Sequence, residues 1–179
     1  MTRKPIIGTE RLELFEFVPT DAPFIHQLVN TPKWISFIGD RGVRTDDDAV
    51  RYIEERISTS YRRFGFGLYL VRLRESSTPV GMCGLVRREH LNDVDLGFAF
   101  LPEHEKSGYA AEAARAVLNY ACNSLGLKRI VAITMKENER SIRLLRRLGL
   151  QFERMISSPG ESDLMLYGMA LGTRESVTG

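Results

Sequence analysis

The sequence predicts a mixed α/β domain built on one sheet, and three observations carry that reading. Strand-like segments at 67–73, 79–88 and 94–101 follow one another with short connections, as an antiparallel meander does. A helical stripe at 107–125 then leads into the apolar run "RIVAITM" at 129–135, the pattern of two parallel strands bridged by a crossover helix, which by rule is right-handed. With 179 residues and 43% hydrophobic content, the chain suits a single domain over 1–179 with its own core, spanning about 8–171.

Taken in order, "RLELFEFV" (11–18) alternates apolar and polar residues and predicts a half-buried strand. Residues 20–30 predict a short helix, and "PKWISFIGDRG" an irregular stretch closed by Gly39 and Gly42. Thr45 followed by Asp46, Asp47 and Asp48 has the form of a capping box with acidic first-turn charges, opening a helix to about Arg63. "GLYLVRL" and "PVGMCGLVRR" are strands around the turn "RESSTP", and the third strand of the meander follows the "REHLNDV" loop. The 107–125 stripe consists of Ala110, Ala113, Ala114, Val117, Leu118, Ala121 and Leu125, with Ser107 as cap at its start and Gly126 at its end. "RIVAITM" is apolar almost throughout, as a strand covered on both faces requires. A second helix over about 138–148 stops at Gly149, and "QFERMI" and "DLMLYGMAL" supply two last strands around "SSPGES".

Charge and special residues exclude several classes of function. The 25 basic and 23 acidic residues are interspersed and leave a net charge of +2, which speaks against nucleic-acid or membrane partners. No apolar run approaches the roughly 18 residues of a membrane span, and "MTRKPIIGTERLEL" lacks the apolar core of a signal peptide. Cys83 and Cys122 lie in apolar segments without ligand spacing and are expected as reduced core residues of a cytoplasmic protein. His26, His90 and His104 are too dispersed for a metal set, so no metal is expected. The Arg140, Arg143, Arg146, Arg147 cluster is expected as a solvated helix face.

The junction "FAFLPEHEKSGYAAEAARAVLNYA" (98–121) is where composition calls for an explanation. Gly108 in the first turn lowers helix propensity by about 1 kcal/mol relative to Ala. At a strand-to-helix junction of a parallel unit, the helix amides and dipole favour an anion above the strand ends, and Gly108 and Ala110 let one approach the backbone. A pyrophosphate would suit that place; a plain capped helix with an incidental glycine is the competing reading.

The spaced motifs "GMCGL", "DVDLGFAFLPE", "GYAAEAA", "LGLKRIVAIT" and "NERSIRLLRRLGLQFE" resemble the GNAT superfamily of acyl-CoA-dependent N-acetyltransferases. The branch most like them contains the ribosomal-protein alanine acetyltransferases, and the likeness runs from "TERLELFEF" to the last strand. It implies the single-domain GNAT fold: a twisted, mixed, mostly antiparallel sheet flanked by helices, with the parallel βαβ unit at the cofactor crevice. It also implies acetyl-CoA as cosubstrate. The cofactor-binding pattern falls on Glu105 to Ala110, so the backbone of Lys106, Ser107, Gly108, Tyr109, Ala110 and Ala111 would hold the CoA pyrophosphate. Phe98, Ala99 and Phe100 would pair with the pantetheine arm, and Asn138 matches a cofactor-contacting asparagine. The chain departs from the branch pattern at Glu105, Lys106 and Ser107. A carboxylate at position 105 repels a pyrophosphate unless it points to solvent, with Lys106 expected to offset it.

For catalysis the resemblance implies Asp95, where the branch often carries a Glu, as the group that takes the amine proton, through a water because the side chain is short. Its unperturbed pKa of about 3.9 requires burial for that task. An exposed polar residue in strand alternation is the other reading of Asp95. Many relatives place a tyrosine seven residues after the asparagine to protonate the thiolate. Here that position is Leu145, which leaves Ser141 as the acid. Ser141 lies one turn after Asn138, and bonding its own helix backbone is the alternative. The expected activity is direct acetyl transfer to a primary amine, on a small molecule or a protein N-terminus, in a ternary complex. A CoA-binding sensor that has lost catalysis is the alternative. Exposed strand edges allow a homodimer without requiring one.

Overall fold

The computed structural model describes residues 3–157 and 163–172. Eight strands form one sheet in the order β1-β2-β3-β4-β5-β6-β8-β7. They are β1 Ile7–Gly8, β2 Leu12–Glu16, β3 Leu68–Leu73, β4 Pro79–Val86, β5 Asp95–Phe100, β6 Arg129–Met135, β7 Gln151–Ile156 and β8 Leu164–Ala170. All neighbours are antiparallel except β5 and β6, which run parallel. The β3–β4–β5 meander and the parallel unit across α5 (Tyr109–Asn123) are both present. The "SSPGES" turn lies mostly outside the described residues.

Alternation along the strands divides the core between two faces of the sheet. Tyr69, Val71, Cys83 and Leu85 point to one face, where they meet Ala113, Ala114, Val117 and Ala121 of α5. These alanines explain the composition of that helix, because small side chains let it lie close to the sheet. Leu70 and Met82 point the other way, onto α1 (Ala22–Val29), α2 (Pro32–Phe37), α3 (Asp46–Tyr52) and α4 (Ser58–Phe64). The last helix, α6 (Glu139–Leu148), ends at Gly149 in the left-handed conformation, φ 100°.

Three local outcomes differ from the pattern-based reading. Residues 32–37, expected to be irregular, form α2 because Thr31 caps it, accepting the Trp34 amide on its side chain, Pro32 sits at the first position, and Trp34 is buried. The Thr45 capping box does open a helix, but its middle, Ile53–Ile57, widens into a π turn between α3 and α4. Ser107 does not cap α5. Gly108 occupies that position at φ 82°, and no side chain bonds there.

Candidate active site

The site begins where the parallel pair comes apart. β5 and β6 share one register position, Asp95 opposite Val131, with the Val131 N–H donating to the Val94 carbonyl at 3.0 Å. Farther along, Phe98, Ala99 and Phe100 pair only with β4, while Ala132, Ile133 and Thr134 pair only with β8. Both sets line a cleft of about 1190 Å³. The β5 edge facing it offers unpaired backbone groups, which an extended chain of amides can satisfy.

At one end of the cleft, the turn into α5 is a row of unused donors. Lys106 (φ 68°) and Gly108 (φ 82°) are both left-handed, separated by one residue. Among the described residues, the amides of Lys106, Ser107, Gly108, Tyr109, Ala110 and Ala111 donate to no protein acceptor; the first amide to do so is that of Glu112, onto Gly108. Such a nest at a helix N-terminus is suited to a phosphate or pyrophosphate. A Cβ on Gly108 would be strained by that φ and would lie 3.3 Å from Arg11 Nη2. All of these residues line the cleft except Ser107, whose carbonyl accepts from Arg11 Nη1 at 3.0 Å.

Glu105 neither points to solvent nor depends on Lys106. Its side chain is only 17% exposed, held by Lys33 Nζ at 2.5 Å and by Arg140. Two cations therefore surround the carboxylate beside the nest, so its repulsion toward an anion is largely neutralised. Arg140 stays exposed, as expected of a solvated helix face, while making this contact.

Asp95 lies at the apex of the parted strands and is buried, 1% exposed. Burial pushes its carboxyl from 3.8 up to about 6, against the charge and hydrogen bond of Arg88, the nearby Ile133 amide and His90, which pull it down. Arg88 Nε donates to Oδ2 at 2.7 Å, while Oδ1 is buried without a partner. A buried carboxyl with a raised pKa in a cleft has the properties that a proton acceptor needs. The exposed-residue reading of Asp95 is thereby excluded.

Across the cleft, Asn138 caps α6, its Oδ1 accepting the Ser141 amide at 3.2 Å. Asn138, Ser141 and Leu145 all line the cleft, and Leu145 is fully buried in the tyrosine position. The Ser141 hydroxyl makes no bond to the helix backbone among the described residues, so it is available to the cleft.

Residues 11–151 match the acetyltransferase (GNAT) domain family. The chain belongs to the GNAT family. An uncharacterized N-acetyltransferase of Bacillus subtilis, YoaA, is 28% identical over 151 residues, covering 83% of this chain and 84% of its own. The fold also agrees with an acetyltransferase structure from Agrobacterium tumefaciens, at TM-score 0.78, 23% identity, 94% of this chain and 96% of that one. A ribosomal-protein-S5-alanine acetyltransferase from Vibrio fischeri overlays at TM-score 0.75 with 15% identity, covering 92% and 95%.

The cleft also holds residues that sequence reading did not single out. Arg88 could have been found by register: Val86 pairs with Asp95, so a basic residue just past the end of β4 reaches the carboxylate. Tyr52, Arg56 and Arg63 line the cleft together with Arg41. They left no periodic signal because the π turn shifts the helical register between Tyr52 and Arg63. No helix among the described residues is long and apolar enough to cross a membrane.

Proposed function

We propose that this GNAT chain binds acetyl-CoA along β5 and the 106–111 nest and transfers the acetyl group directly to a primary amine within a ternary complex. The observation that carries this reading is the row of six unused amides beside the parted strands, with a buried carboxylate at their apex. The amides of Lys106 to Ala111 would hold the pyrophosphate, Phe98 to Phe100 would pair with the pantetheine amides, and the Asn138 amide nitrogen would reach the same arm. Acetyl-CoA supplies a thioester carbonyl as electrophile.

Asp95 accepts the proton of the incoming ammonium, through a water where the amine stands too far for contact. Amine nitrogen and acetyl carbon form the new bond, the carbon–sulfur bond breaks, and Ser141 delivers its hydroxyl proton to the departing thiolate as it takes up, through water, the second proton that the acylated nitrogen sheds; the first stays on Asp95 until it passes to solvent. Deprotonation costs about 1 kcal/mol for an α-amine at pH 7 and about 5 kcal/mol for a lysine side chain. A carboxylate near 6 is therefore a better match for the first. Against the alternative of a sensor without catalysis stand the free Asp95 oxygen and the unbonded Ser141 hydroxyl in one cleft.

Calorimetric titration with acetyl-CoA and with CoA tests the binding half, with micromolar affinity expected; no binding of either removes the cradle. Thiol release from acetyl-CoA on adding amines tests the transfer half. Binding without release would favour the sensor.

A further inference from the structure

Beyond the cofactor, the cleft carries a charge pattern that bears on the acceptor. Arg88 is anchored to Asp95 through Nε, and its two Nη nitrogens have no protein partner among the described residues. Tyr52 lies within the field of Arg41, Arg56 and Arg88 together; these three charges pull its phenol down against the burial that raises it. All four residues line the same cleft as Asp95. Arg41 and Arg56 are exposed and pair with no carboxylate among the described residues. The acidic groups at this end are already committed, Asp40 to Arg44 and Asp95 to Arg88. A further donor is buried here: Trp34, 4% exposed and lining the cleft, holds its indole Nε1–H without an acceptor.

Three guanidinium groups around Tyr52, in the cleft that also holds Asp95, repel one another and repel a polycation. They are relieved by an anion, which guanidinium groups bind through paired hydrogen bonds. We propose that the acceptor is a primary amine that carries a carboxylate or phosphate group, its nitrogen directed to Asp95 and its anion held by Arg41, Arg56 and the outer nitrogens of Arg88. This inference rests on the acetyl-transfer reading and adds the substrate class to it. A free amino acid-like metabolite and an acidic protein N-terminus both present that chemistry.

Two matched series separate the sources. The first is 4-aminobutanoate, butylamine and 1,4-diaminobutane; the second is the C-terminally amidated peptides Ala-Glu-Glu-NH2, Ala-Gln-Gln-NH2 and Ala-Lys-Lys-NH2. In at least one series the anionic member is expected to show kcat/KM about tenfold to a hundredfold above its neutral counterpart, the worth of a charge-assisted hydrogen bond. The series in which it does so identifies the source. Arg56→Gln and Arg41→Gln are expected to raise the KM for that anionic acceptor about tenfold, with the KM for acetyl-CoA unchanged. The double replacement Arg41→Glu with Arg56→Glu is expected to move the preference toward the cationic member of the same series. Both positions are exposed, so these replacements test recognition rather than folding. Equal or better use of the neutral or cationic member in both series overturns the inference and leaves acetyl transfer standing. Failure of all six amines to react also overturns it; calorimetric binding of acetyl-CoA then decides whether the acetyl-transfer reading falls too.

Discussion

Replacing Arg88 by Met isolates what holds the Asp95 carboxyl near neutrality. Two opposing effects set its pKa: burial drives it upward from 3.8, and Arg88, at 2.7 Å, draws it back to about 6. At about 1.36 kcal/mol per pH unit, the displacement from 3.8 to about 6 corresponds to about 3 kcal/mol. An opposite charge within contact distance is worth roughly 1–3 pH units to a carboxylate, so Arg88→Met is expected to place Asp95 at about 7–9. At pH 7 the ionised fraction of Asp95 then falls from about nine-tenths to about one-tenth for a value of about 8, lowering kcat about tenfold. Activity recovers toward pH 9. Carbon-13 NMR titration of the aspartate carboxyls reads the shift directly, and the acid limb of kcat at saturating amine reads its effect on turnover. The acceptor's own ionisation adds a second limb to kcat/KM, so kcat is the cleaner profile. Asp95→Asn, as control, removes the carboxyl resonance and the limb together. A limb in Arg88→Met that stays at or below about 6 would refute both the proton-acceptor role and the account of its pKa. The sign for stability follows from the same values. A carboxyl whose folded pKa is raised costs stability as pH climbs from about 3.8 to about 6, and nothing further above that.

The nest and its neighbours make three further predictions. Gly108→Ala places a side chain at φ 82° and 3.3 Å from Arg11, at a cost of about 1–2 kcal/mol in backbone strain; the KM for acetyl-CoA is expected to rise about tenfold, and an unchanged KM would remove the cradle. Glu105→Gln frees Lys33 and Arg140 from their carboxylate, so CoA is expected to bind a few-fold more tightly and with steeper salt dependence by calorimetry; weaker binding would show that Glu105 serves to position those cations. Ser141→Ala is expected to lower kcat without abolishing it, by at most about thirtyfold, because a thiolate with a pKa near 8.5 is unfavourable by only about 2 kcal/mol at pH 7; complete loss of turnover would contradict a simple proton donor.

The order of strands and helices was legible because it is written in local periodicity. "RIVAITM" emerges as β6 over the expected residues, and Thr45 caps its helix as the acidic run after it indicated. The nest was legible for a related reason: its donors are backbone amides of one continuous segment, and Gly108 marks it in sequence. Sequence placed Asp95 on the right strand but left its environment open, because burial and the Arg88 contact come from the parting of β5 and β6 and from hairpin register. Glu105 was misjudged because its partners, Lys33 and Arg140, come from 72 residues before it and 35 after it. The arginine cluster was invisible for the same reason, since Arg41, Arg56 and Arg88 stand on three separate segments and a π turn breaks the period that would have linked the helical residues. By itself, then, the sequence determined the strands, the helices and the backbone nest, features governed by interactions within a few residues. Tertiary structure decided the raised pKa of Asp95, the neutralisation of Glu105 and the charge of the cleft, because Coulomb and desolvation energies depend on distances that only the packed chain sets.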